Sequence, residues 1–138
     1  MLELVHDSWL QAGVKLFNKP SQREVFRTRI YSGETIMSIW FGVDNGLPHS
    51  GMSPWEFAPT VQDQLQWPKW GQLLETKGAS GEAIDDPPAM ELAKLSSEWA
   101  KTGSEAERAA IWHKMLAIYA DQVYTIGMIA GIKQPVVV

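Results

Sequence analysis

The residues of this 138-residue chain best suited to chemistry gather around one stretch, "SIWFGVDNGLPHSGMSPWEF", residues 38–57. Trp40 and Phe41 lead into it, Asp44 and Asn45 lie within it, and Trp55 follows. A carboxylate flanked by rings is binding chemistry. The rings supply apolar contact area, and the charge makes a strong hydrogen bond to a ligand ammonium or hydroxyl. Side chains alternate along a strand, so at most one of Trp40 and Phe41 faces a given pocket, and Trp55 closes the other side. Asp44 also has a second reading, because Asp before Asn-Gly commonly holds a turn through its own side chain.

No catalytic set accompanies this loop. His6, His49 and His113 lie far apart and without metal-ligand spacing, and only His49 falls inside the stretch. The chain has no cysteine, which removes disulfides, thiolate nucleophiles and Cys-based zinc sites. No serine sits in a nucleophile elbow, and no phosphate-binding or dinucleotide fingerprint occurs. Asp85 and Asp86 precede two prolines, a pattern for a turn or a helix start. We therefore assign no catalytic residue, no metal and no cofactor. A net charge of −4 argues against a nucleic-acid partner. No uninterrupted apolar run approaches the roughly 18 residues of a membrane span. The opening "MLELVHDSWL" lacks the basic region and cleavage site of a signal peptide.

The elements that must position these residues follow from periodicity. Residues 2–12 read as a helix, with Leu2, Val5 and Trp9 on one face and Gly13 at its end. "VKLF", residues 14–17, reads as a short strand, and the segment after Pro20 as a helix ended by Gly33. "TIMSIWF", residues 35–41, is apolar on both faces, the pattern of a central strand. Strand, helix, strand with short links predicts an α/β fold with a βαβ unit of parallel strands. Ligands of open α/β sheets sit at the carboxyl ends of strands, which is where Asp44 would fall. Residues 54–74 read as short helical pieces and 76–88 as a polar loop. Helices follow over about 88–101 and 104–120. The second opens on a capping box, Ser104 with Glu107, and carries the stripe Ile111, Met115 and Ile118, widened by Trp112, Leu116 and Tyr119. Residues 122–130 and the final "QPVVV" read as strands. Three terminal valines and a start directly in a helix point to a piece cut from a longer protein.

The order of these segments resembles the C-terminal part of the extracellular solute-binding proteins of family 5, the peptide-binding components of bacterial ABC importers. The likeness runs through "QAGVKLFNKPSQREVFRTRIYSGETIMSIWF", "WFGVDNGLP", "SEAERAAIWHKMLAIYADQVYTIGM" and "IKQPVVV". "WFGVDNGLP" is similar to the family pattern Gly-Trp-x-x-Asp-x-x-Asp-Pro. Asp44 matches the first Asp, which in peptide-binding members meets the peptide's amino terminus, and Pro48 matches the Pro. Trp40 stands where the pattern has Gly, Phe41 where it has Trp, and Leu47 where it has the second Asp.

The resemblance implies part of the second lobe of a periplasmic-binding-protein-like (type II) clamp, spanning 1–138 and reaching the hinge strand at 134–138. It implies capture of a small solute, a peptide or an oligosaccharide or opine-like molecule, and delivery to an ABC permease in the periplasm or at the cell surface. The expected ligand contacts are Trp40, Phe41, Asp44, Asn45 and Trp55. One lobe alone is expected to bind weakly, and exposed Val136–Val138 to favour a homodimer. Two rival classes are a carbohydrate-active enzyme, given the seven tryptophans, and a structural module in which every tryptophan is core.

Overall fold

A computed structural model describes residues 2–40, 42 and 49–127. In chain order it contains α1 (Leu2–Gln11), α2 (Arg23–Tyr31), a single 3-10 turn (Trp55–Phe57), α3 (Pro68–Glu75), α4 (Pro87–Lys101) and α5 (Glu105–Gln122). None of the described residues is in a strand. No helix among them is long and apolar enough to cross a membrane.

The expected α/β fold with its βαβ unit is therefore wrong for the described residues, which are helical. Residues 14–17 and 35–39 form no strand among the described residues. Among the described residues, the backbone groups of residues 15–18 and 35–39 make no hydrogen bond. The physical reason is that an apolar, β-branched pattern records a need for burial, whereas a strand exists only when a neighbour takes its N–H and C=O groups. Here neither segment finds the other. The strand expected from residue 122 is also absent as far as Gly127: α5 runs on to Gln122 and ends at Val123 in the left-handed region (φ 53°). The hinge segment 134–138, with Val136–Val138, lies outside the described residues.

The helices themselves follow the local sequence closely. Gly13 and Gly33 both adopt the left-handed conformation at the ends of α1 and α2. Asp86 caps α4, accepting from the Ala89 N–H at 3.1 Å, and Pro87 and Pro88 occupy its first turn. Ser104 caps α5 through the Glu107 N–H at 3.4 Å. The Glu107 carboxylate does not return the bond as a capping box requires. It accepts instead from the Thr102 hydroxyl.

The core lies where α4 and α5 pack against each other and against the 3-10 turn. Leu92 and Leu95 of α4, Met115 of α5, Ala58 and Trp67 are buried there. An aromatic cluster closes it. Phe57 meets Trp112 and Tyr119 edge-on at 5.3 and 4.8 Å, and Trp67 meets Tyr124 at 5.0 Å. Such edge-to-face pairs add about 0.5–1.5 kcal/mol each beyond their buried area. By contrast α1 buries no residue and packs on no other described element, so its apolar face of Leu2, Val5 and Trp9 finds no helix to cover it. α2 buries Ile30 and leans on α3.

Candidate functional site

The body of the molecule is tied to its surface by one glutamine. Gln64 is buried between the 3-10 turn and α3. Its Oε1 accepts from the Thr60 N–H (2.8 Å), the Val61 N–H (3.2 Å) and the Trp67 indole N–H (3.2 Å). Its Nε2 donates to the Trp55 carbonyl and to the Thr60 hydroxyl (3.0 Å). A buried amide needs its polar atoms satisfied, and here the satisfaction fixes the loop from Trp55 to Trp67 in one conformation. Gly71 of α3 completes the arrangement. A Cβ at that position would lie 2.1 Å from the Val61 carbonyl oxygen, so only glycine lets the loop approach the helix so closely.

This approach creates a hollow of about 380 Å³, lined by Tyr31, Trp55, Val61, Gln62, Asp63 and Glu75. Tyr31 arrives on the last turn of α2 and donates its hydroxyl to Asp63 Oδ1. Burial, and then the bond to Asp63, raises the Tyr31 pKa above its usual value, so the phenol stays a donor. Glu75, the last residue of α3, accepts the Gln62 N–H at 3.1 Å through Oε2. Among the described residues, neither carboxylate has a cationic side chain within salt-bridge distance. A second hollow of about 470 Å³ lies between Thr60, Leu74 and the α4 residues Ala93, Ser97 and Ala100, and its walls are almost wholly apolar.

The tryptophans separate into two groups. Trp67 and Trp112 are 3% and 5% exposed, and their indole N–H groups donate to Gln64 and to the Met52 carbonyl. Trp99 likewise donates to the Ser50 carbonyl, at 3.1 Å. Trp40 and Trp55 are 37% and 43% exposed. Trp40 stacks on Phe26 at 5.5 Å with the Arg27 guanidinium 5.6 Å from its ring. The Trp55 indole N–H has no partner among the described residues. The reading in which every tryptophan is core therefore does not hold.

Of the five expected ligand contacts, Trp40 and Trp55 are described, and their rings do not pair with each other. Phe41, Asp44 and Asn45 lie outside the described residues. His49 accepts the Gly51 N–H at 3.2 Å and so serves its own turn. Asp86 has the helix-start role expected of it and a further one, as acceptor for the Tyr124 hydroxyl. Among the described residues no group of three His, Cys, Asp or Glu could hold a metal ion. The sequence reading missed Gln64, Asp63 and Glu75 altogether. Their only advance signal was the density of Gln, Asp and Trp in "TVQDQLQWPKW".

Compared with protein-family models, curated proteins and solved structures, the chain matches none, so the likeness to family 5 rests on the residues quoted for it.

Proposed function

We propose that this chain is the solute-capturing part of a binding protein that serves an ABC importer, and that it binds without a chemical step. The solute is a peptide or a similar small molecule, the downstream partner a permease, and the place of action the periplasm or the cell surface. One observation supports this reading most: Trp55 leaves its ring 43% exposed and its N–H unbonded on the rim of a hollow, in a chain whose other described loop and helix contacts satisfy Trp67, Trp99 and Trp112. Large rings are enriched where one end is to be covered and the other stays polar. Small-molecule sites combine such apolar walls with a few placed polar groups, here Tyr31, Asp63 and Glu75.

The test is intrinsic fluorescence during titration with a mixture of short peptides, for the wild type and for Trp55→Phe. A saturable change that is lost in Trp55→Phe supports capture at this hollow. A change of equal size in both proteins, or none in either, contradicts it. The first lobe implied by the family likeness would supply the opposite wall. Calorimetry should accordingly give this chain a weaker affinity than the two-lobed protein, and equal affinities would count against the clamp.

A further inference from the structure

Resting on that binding reading, we infer that the hollow between Trp55, Asp63 and Glu75 recognises a guanidinium group on the solute. The molecule itself shows how indoles that reach its surface are covered. Arg27 lies over Trp40 with its guanidinium carbon 5.6 Å from the ring, and Arg108 lies over Trp99 at 4.7 Å. Among the described residues no cation lies over Trp55. This indole differs from the other two in sharing its hollow with two carboxylates.

Each carboxylate is held by one bond and keeps acceptor capacity. Asp63 takes the Tyr31 hydroxyl on Oδ1, leaving Oδ2, and Glu75 takes the Gln62 N–H on Oε2, leaving Oε1. A planar guanidinium stacks on an indole face and forks its N–H groups into carboxylate oxygens, and it is weakly hydrated. An ammonium is a compact, strongly hydrated point charge and gains less from a flat wall. The combination of two acceptors and a ring with no cation over it among the described residues therefore discriminates guanidinium from ammonium, and either of them from a neutral group. The source is an arginine side chain of a peptide or a free small guanidine, since both carry the same head group.

Calorimetric titration with Nα-acetyl-arginine amide, Nα-acetyl-lysine amide and Nα-acetyl-citrulline amide tests this, because the three carry a guanidinium, an ammonium and a neutral urea on similar aliphatic stems. The arginine compound should bind about tenfold more tightly than the lysine compound, and the citrulline compound should not bind at millimolar concentration. Glu75→Gln and Asp63→Asn keep an acceptor for Gln62 and Tyr31 while removing charge, and each should weaken the arginine compound about three- to tenfold. Trp55→Leu should weaken it about tenfold. Methylguanidine compared with the arginine compound separates the sources: equal affinity assigns recognition to the head group alone, and tighter binding of the amide assigns it to a peptide. Equal binding of citrulline and arginine compounds, or indifference to both charge-removing variants, overturns the guanidinium assignment. In that event a peptide without arginine that still titrates Trp55 leaves the binding reading standing. If no solute of any kind binds, both readings fall.

Discussion

The pair α4–α5 and the two extended segments at 15–18 and 35–39 all carry large apolar side chains, yet they end in opposite states. Leu92, Leu95, Trp112 and Met115 are buried, whereas Phe17, Ile36, Met37 and Ile39 are exposed, Ile36 completely. A helix satisfies its own backbone and needs only one face covered. The α4–α5 hairpin supplies that cover from within about forty residues of chain. An extended segment satisfies neither its backbone nor its faces alone. The difference teaches that hydrophobicity in this chain measures how much partner a segment needs. Only the helical half carries its partner with it.

This contrast makes quantitative predictions. The largest effect should come from Leu92→Ala, which opens a cavity at a fully buried position. It should cost about 2–5 kcal/mol of unfolding free energy in urea titration. Ile36→Ala removes a side chain of similar size and should stay within about 0.5 kcal/mol of wild type. A comparable loss at Ile36 would break the comparison.

Next in size is Gly71→Ala. The added Cβ meets the Val61 carbonyl oxygen, a backbone atom that cannot swing aside. Destabilisation of about 1–3 kcal/mol should follow, together with loss of any ligand response at Trp55 as the hollow deforms. A stable Gly71→Ala protein with unchanged response would show that the close approach of loop and helix is not what shapes the site.

A smaller effect concerns Asp86, which both caps α4 and accepts from Tyr124. Asp86→Ala should cost about 0.5–2 kcal/mol for the cap alone. Asp86→Asn keeps an acceptor and should recover most of it.

The smallest effect is with pH. Tyr31, Tyr119 and Tyr124 all have pKa values raised from the usual value of 10.0, in each case chiefly by burial; for Tyr31 and Tyr124 the hydrogen bonds to Asp63 and Asp86 add to the shift. The folded state thus holds these protons more tightly than the unfolded chain. Their contribution is complete below the unfolded pKa and is lost as the pH rises above it. The urea midpoint should fall as the pH rises from about 9 to about 12, and Tyr124→Phe should lessen the fall. A midpoint that rises over that range would contradict the assignment.

What the sequence disclosed matches this division. Ser104 as the cap of α5, the Met115 stripe, Asp86 at a helix start and the glycines that end α1 and α2 are local features, decided within a few residues of themselves. Gln64 was not legible, because its five bonds run from side chain to a particular loop conformation, and no spacing rule encodes them. Asp63 and Glu75 were hidden for the same reason: they line one hollow only because Gly71 lets the loop touch α3. Over 14–17 and 35–40 the expected strands do not form, because the pattern there is one of burial and not of pairing.

The central claim is that the folded body of this chain is helical and holds the Trp55 hollow in place, while the strand-like segments add nothing to its stability. Residue-resolved amide hydrogen exchange tests it directly. The account predicts strong protection through α4, α5 and the loop tied by Gln64, with free exchange at residues 15–18 and 35–39. Protection at 35–39 equal to that of α5 would mean that those residues are paired in a sheet, and would contradict it.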